Sequence, residues 1–177
     1  AITNLPLSDD LSSEQLKQVN IIELDGKELS FGFAEGPALH LTDEELDQGV
    51  FIFKESILFL ADKFPDSALA VVYIPAALST YNFISQKVRP APLFMNGKKR
   101  EQLFSSSNTF DKSDHIRNMI RSIAIEMGAD FIDPVEALRI QSRQLLLHGP
   151  RDPIHFNKEG YHAFVQAILM QVKGVLD

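Results

Sequence analysis

Apolar and polar residues alternate in two short runs near the start of the chain, at residues 21–24 and 28–31. Asp25 and Gly26 lie between the runs, and this dipeptide accepts the positive φ angles of a type I′ turn. The pattern therefore predicts a β-hairpin. Further upstream, Ser12 and Gln15 have the spacing of a helix-capping box, which predicts a short helix over residues 13–19.

A longer helical pattern follows the hairpin. Thr42 and Glu45 have the spacing of a second capping box, and apolar residues then recur at steps of three and four up to about Lys63. The predicted inward face of this helix carries Leu46, Val50, Phe53, Ile57 and Leu60. The apolar, β-branched run at residues 69–74 ends at Pro75, and it predicts a buried strand of a parallel sheet.

Residues 81–110 lack a regular pattern and predict a long connection, in which Ser105, Ser106 and Ser107 belong to a polar linker. Helical periodicity returns after Ser113, which is the predicted N-cap of a helix ending at Gly128. A short strand is predicted over residues 129–132.

Two more helices complete the pattern. Asp133 and Pro134 are predicted to open a helix that runs to about Leu147. Asn157 is the predicted N-cap of the last helix, whose inward residues are Tyr161, Phe164, Val165, Ile168 and Leu169. The order of elements predicts a single α/β domain with a parallel sheet. Only two runs resemble parallel strands, so we expect the sheet to be incomplete within these 177 residues.

Composition narrows the possible functions. The net charge of −7 disfavours a nucleic-acid binder, since such proteins usually carry a basic surface. The one basic cluster, at residues 98–100, is followed by Glu101 and is predicted to be a solvated loop. The chain has no Cys, which excludes disulfides, thiolate metal sites and a cysteine nucleophile. No apolar run reaches the roughly 18 residues of a membrane helix, and the compartment stays open.

The chemistry-bearing feature is the loop before the last helix, where Asp152 and His155 are three residues apart. At this spacing the carboxylate can hold one nitrogen of the imidazole ring, fix its tautomer and stabilise its charged form. The opposite nitrogen can then take a proton from a nucleophile. Pro153 stiffens the loop, and Asn157 sets where the helix begins.

This segment resembles the C-terminal block of the SGNH (GDSL-type) hydrolases, which are esterases and acyl-transferring enzymes with a three-layer α/β/α fold. The matching residues are Asp152 and His155, followed by Asn157, Gly160 and Tyr161. The resemblance extends over about residues 116–169 and, more weakly, residues 70–81. It implies that His155 is the general base, that Asp152 orients it, and that the substrate is an ester, such as an acylated carbohydrate or a lipid-like ester. No cofactor is implied.

The family's Gly-Asp-Ser block, its oxyanion Gly and its Gly-x-Asn-Asp block are absent from the 177 residues. We therefore expect the chain to be the C-terminal portion of a longer hydrolase whose nucleophile lies upstream, and we expect the chain to be inactive by itself. A non-catalytic α/β binding or accessory module that keeps the loop for structural reasons is the alternative. An incomplete sheet also predicts self-association through an open strand edge, or an edge covered by the hairpin or the N-terminal segment.

Several other residues are candidates for lining the site. Ser79 follows the strand at residues 69–74 and is either a site residue or the cap of a helix beginning near Thr80. Tyr81 either lines a cleft or packs in the core. His148 and Arg151 flank the loop and either contact an acidic substrate group or are plain loop residues. Asp152 and His155 could instead bind a metal, although only two clustered ligands are visible.

Overall fold

The structure is a computed structural model that describes residues 17–31, 34–95, 98–100, 102–149, 152 and 154–172. The predicted hairpin is confirmed: β1 (Ile21–Leu24) and β2 (Lys27–Ser30) pair antiparallel around Asp25 and Gly26, whose φ angles are 50° and 69°. Ile22 is fully buried and bridges to Phe83, so the hairpin packs on the segment around Phe83. Of the predicted helix at residues 13–19, the first part lies outside the described residues and residues 17–19 form a turn.

The first long helix, α1 (Asp43–Lys63), is confirmed with its capping box: Glu45 N–H donates to the Thr42 hydroxyl, and Thr42 N–H donates to the Glu45 carboxylate. The inward face is only partly as predicted. Ile57 is buried, whereas Leu60 is 42% exposed. Phe51, Ile52 and Phe59 on the same helix are exposed as well. Apolar side chains therefore occupy a wider part of the helix surface than the neighbouring elements cover.

The parallel sheet consists of β3 (Ala70–Val72) and β8 (Asp130–Ile132), so the mixed α/β class with a parallel pair is confirmed. The prediction that the first of these strands is buried is wrong, because Ala70 and Val72 are exposed. The cause is that β3 has one described partner, β8, and that α1 and the helix over residues 106–126 pack against the face of β3 that carries Val71.

The prediction that residues 81–110 form a long connection without regular pattern is also wrong. It contains β4 (Lys87–Val88), paired with β7 (Phe104–Ser105), and the hairpin β5 (Leu93–Met95) with β6 (Lys98–Arg100). The basic cluster is therefore strand β6 and not a loop. Helix α2 (Ser106–Glu126) begins at Ser106, so Ser113 lies within the helix, where it is buried. Gly128, with φ 76°, follows the end of this helix as predicted.

The third helix, α3 (Val135–Gln141), ends earlier than the predicted Leu147, because residues 142–145 turn and Leu147 enters the core. The last helix, α4 (Lys158–Val172), begins after Asn157 as predicted. Its predicted inward face is wrong in part: Tyr161, Val165 and Leu169 are about half exposed. Gly160 and Ala167 are buried instead, and Phe164 packs on the core.

Two apolar clusters hold these elements together. The larger one joins the hairpin, the segment around residues 77–88, α3 and the loop before α4, with Ile22, Leu78, Leu138, Leu147 and Phe156 among its buried residues. The smaller one joins α1 and α2 to Val71 and Phe131 of the parallel pair. The loop that carries Asp152 and His155 is therefore anchored on the larger core. No described helix is both long enough and apolar enough to cross a bilayer.

Candidate active site

Asp152 and His155 are in direct contact, as their spacing predicted. The Nδ1–H of His155 donates to Asp152 Oδ2 at 2.8 Å, while Asp152 Oδ1 accepts the backbone N–H groups of Ile154 and His155 at 3.0 and 3.2 Å. The side-chain hydrogen bond from His155, followed by the backbone hydrogen bonds, lowers the pKa of Asp152 below its ordinary value. The His155 side chain is 67% exposed, so the side of its ring opposite Asp152 is open.

The loop that presents this pair is closed at its base. His148 and Phe156 form an antiparallel bridge, and Gly149 N–H donates to the Asp152 carbonyl at 2.9 Å. Asn157 N–H donates to the Leu147 carbonyl at 2.8 Å. Asp152 and His155 therefore lie in a short loop whose two ends are hydrogen-bonded to each other.

Asn157 and Gly160 join this loop to α4. The Asn157 side chain accepts the Gly160 N–H at 2.9 Å and donates to the Leu146 carbonyl at 2.6 Å, so one residue caps the helix and holds the loop. A Cβ at Gly160 would overlap the Leu147 carbonyl oxygen and would lie 2.9 Å from Phe156. The helix can approach the loop this closely only because residue 160 is a glycine.

Tyr81 and His148 lie beneath the loop and not on the surface of the site. They are 1% and 2% exposed. The Tyr81 oxygen accepts the N–H groups of Leu147 and His148, and its hydroxyl lies 3.0 Å from His148 Nδ1. Burial raises the pKa of Tyr81 despite these two backbone hydrogen bonds. Burial lowers the pKa of His148 to about 4, because the charged form of histidine is the protonated one. The charge of Asp152 opposes that change.

The other candidates are less favourably placed. Ser79 is fully buried at the end of a 3₁₀ turn (Ala77–Ser79), its hydroxyl has no hydrogen-bond partner among the described residues, and no described helix begins at Thr80 for it to cap. Its carbonyl accepts from Arg139 Nε at 3.0 Å. Arg151 lies outside the described residues.

Tyr81 packs in the core and is also among the residues that line a cleft of about 450 Å³, so both expected roles apply to it. The sequence did not indicate the other lining residues, among them Glu23, Asn82, Phe110, Arg139 and Arg143. Neither Asp152 nor His155 lines this cleft. The sequence also did not indicate a group of ion pairs that joins α2 to the residue after β8, in which Arg117 lies 3.3 Å from Asp114 and 3.6 Å from Asp133. Asp114 and Arg117 are three residues apart on α2, but Asp133 lies beyond β8, so local spacing did not indicate its contact with Arg117.

Metal ligands are not clustered in the described ranges: no three His, Asp or Glu side chains there are grouped so that they could hold an ion. Comparison with family models, curated proteins and solved structures found no match to the chain. The site must therefore be interpreted from its own geometry.

Proposed function

We propose that this chain carries the general base and its orienting acid of an SGNH-type ester hydrolase or acyltransferase. The observation that carries the proposal is the 2.8 Å contact between His155 Nδ1 and Asp152 Oδ2, with the opposite side of the ring exposed. In this role Asp152 fixes the tautomer in which Nε2 has a free lone pair, and it stabilises the imidazolium that forms on proton uptake. The resemblance of residues 152–161 to the family's C-terminal block is the second support.

The proposed reaction proceeds through an acyl-enzyme. His155 Nε2 takes the proton of a serine hydroxyl as that oxygen attacks the ester carbonyl, and gives it to the departing alcohol. It then takes a proton from water or from an acceptor hydroxyl, which attacks the acyl-enzyme, and returns it to the serine as that leaves. The serine and the oxyanion donors come from outside these 177 residues. Ser79 is a poor candidate because it is closed to solvent, whereas His155 is exposed.

The fold proposal follows from the same resemblance. We propose that β3 and β8 belong to a larger parallel sheet between two helical layers. Helices α1 and α2 pack with Val71 and Phe131, while α4 also contacts β8. Gln171 near the end of α4 exchanges two hydrogen bonds with the backbone of Asp133, at 2.9 and 2.7 Å. Additional strands beside β3 would complete the sheet.

A non-catalytic α/β module is the second candidate, and one observation favours it. Asp152 Oδ1 accepts two backbone N–H groups, so this carboxylate would stabilise the loop even if His155 had no chemical role. An exposed ion pair contributes little to stability by itself, so the backbone contacts are the main structural reason to keep Asp152. The two candidates differ in whether the tautomer of His155 matters.

The Asp152→Asn variant tests that difference. Asparagine keeps an oxygen for the Ile154 and His155 N–H groups but presents an amide N–H to His155 Nδ1, which reverses the tautomer. In the longest natural form of the protein, we expect Asp152→Asn and His155→Ala to lower kcat for a short-chain aryl ester by about 10²–10⁴-fold or more. His162→Ala, on the exposed side of α4, is the matched control and should retain activity.

Unchanged turnover in both variants would remove the enzymatic proposal and leave the module. A related expectation concerns the 177-residue chain alone, which should not react with a fluorophosphonate probe. Stoichiometric labelling of Ser79 would place the nucleophile inside this chain and contradict that part of the proposal. The upstream reading frame is a further check, since the proposal expects a strand followed by Gly-Asp-Ser there.

A further inference from the structure

Three hydrogen bonds meet at the hydroxyl group of Tyr81. The N–H groups of Leu147 and His148 both point to its oxygen, at 2.7 and 2.8 Å. A phenol hydroxyl has one proton and two acceptor lone pairs. Because the two backbone donors use the lone pairs, the proton is directed to the third partner, His148 Nδ1, at 3.0 Å.

This arrangement accepts only one state of His148. Nδ1 must carry a lone pair to receive the Tyr81 proton, so the ring is neutral and its own proton is on Nε2. Protonation at Nδ1 would bring the Nδ1–H of His148 against the O–H of Tyr81, two donors with no acceptor between them. This would happen inside the core, where His148 is 2% exposed. Burial lowers the pKa of His148, which acts in the same direction.

The same hydroxyl also holds the base of the loop that carries Asp152 and His155. Leu147 and His148 are 66 and 67 residues from Tyr81 in the chain, so this contact ties the loop to a distant part of the fold. Tyr81 packs on Phe31 with ring centroids 4.9 Å apart, and His148 stacks on Phe156 at 4.5 Å. A shift of Leu147 or His148 would therefore move both ends of the loop.

We propose that Tyr81 is a positioning residue for the Asp152–His155 pair: its hydroxyl selects the neutral Nε2–H tautomer of His148 and fixes the base of the loop from which the pair projects. The effect on catalysis rests on the proposed function. The effect on loop geometry does not, so the two can be tested separately.

The first test uses the 177-residue chain and nitrogen-15 NMR of its histidine side chains at pH 7. We expect wild-type His148 to be the Nε2–H tautomer and His155, when neutral, to be the Nδ1–H tautomer, because it donates to Asp152. This measurement needs no variant. A protonated His148, or one with its proton on Nδ1, would overturn the proposal.

The second test is Tyr81→Phe, which removes the hydroxyl and keeps the ring. Amide exchange at Leu147 and His148 should accelerate by at least about tenfold, the equivalent of losing one hydrogen bond. The Nε2–H share of neutral His155 should rise as the loop loosens. Tyr161→Phe is the matched control, since Tyr161 is 52% exposed, and it should change neither signal. Unchanged exchange and an unchanged His155 tautomer in Tyr81→Phe would overturn the proposal.

Two variants at His148 separate the hydrogen bond from mere packing. In His148→Asn the side-chain oxygen can still accept the Tyr81 proton, whereas in His148→Leu that proton has no acceptor. We expect His148→Asn to keep Leu147 exchange within about threefold of wild type, and His148→Leu to raise it by about tenfold or more. Equal effects of the two substitutions would show that only the volume at His148 matters, against the proposal.

The catalytic consequence is tested in the longest natural form. Tyr81→Phe should lower kcat by about tenfold or more and leave KM nearly unchanged, because the dyad and not the substrate-binding surface is displaced. If His155→Ala abolishes turnover while Tyr81→Phe keeps full kcat, the positioning role fails and the proposed function stands. If neither variant affects turnover but the NMR changes occur as expected, the proposed function fails and the loop geometry stands.

Discussion

At His148, burial opposes the charged imidazolium and lowers the pKa from 6.5 to about 4, although the charge of Asp152 acts in the opposite direction. Between these two values the unfolded chain binds a proton at this residue and the folded chain does not. The free energy of unfolding therefore rises with pH across the window, and acidification destabilises the fold.

The prediction is that acidification from pH 7 to pH 4 lowers the free energy of unfolding by up to about 3 kcal/mol through His148 alone. Urea unfolding at several pH values measures it, and His148→Asn is the comparison because it removes the titrating group. Wild type should lose stability relative to His148→Asn as the pH falls, because only wild type carries the titrating imidazole. Asp152, whose pKa is lowered from 3.8, makes its own contribution only below this window. Parallel pH profiles for the two proteins would contradict the prediction.

The sequence indicated one of these residue-scale contacts and not the other, for a reason of distance along the chain. Asp152 and His155 are three residues apart, so their spacing alone places the two side chains within reach. Tyr81 and His148 are separated by 67 residues, and only the packing of the larger core brings them together. Asn157 was predictable as a helix cap, whereas its hydrogen bond to the Leu146 carbonyl was not.

At the scale of elements, the start of α4 depends on Gly160, where a side chain would meet the Leu147 carbonyl and Phe156. Gly49 is also a helical glycine, but it lies on the exposed side of α1. A Cβ added there would have no atom within 4 Å. The same substitution at the two positions therefore has opposite physical consequences.

We predict that Gly160→Ala lowers the free energy of unfolding by about 2 kcal/mol or more through overpacking. Gly49→Ala should raise it by about 1 kcal/mol, because alanine restricts the unfolded chain and favours the helix. Chemical denaturation of both variants measures the two changes. A stable Gly160→Ala protein would mean that α4 does not approach the loop as closely as the structure has it.

Element boundaries were predictable where local side chains set them. The capping box at Thr42 and the Asp25-Gly26 turn are local signals, and both elements form as predicted. Helix α2 is different: its N-cap, Ser105, makes no capping hydrogen bond, and the Ser106 hydroxyl instead donates to the distant Ser85 carbonyl. The serine run therefore resembled a linker, since the contact that orders it is tertiary.

At the scale of the whole molecule, the sequence predicted the mixed α/β class but not how the parallel pair is covered. The sequence pattern contained too few strands for a complete parallel sheet, and β3 has one described partner. The hairpin, one of the two predicted covers for the free edge, bridges to Phe83 instead. The other, the N-terminal segment, lies outside the described residues. Apolar side chains near the sheet stay exposed, including Val72 at 39% and Ile74 at 65%.

An uncovered strand edge offers unpaired N–H and C=O groups to another chain, and exposed apolar side chains beside it add a favourable burial term. We predict that the 177-residue chain associates with itself in a concentration-dependent way, as measured by sedimentation velocity. Val72→Lys should weaken this association by about tenfold or more, because a lysine on the edge strand opposes pairing. Gln48→Lys adds the same charge on the exposed side of α1. It controls for the weaker repulsion between two chains once the net charge of −7 is made less negative. A strict monomer at all concentrations would mean that another segment of the chain already covers the edge of β3.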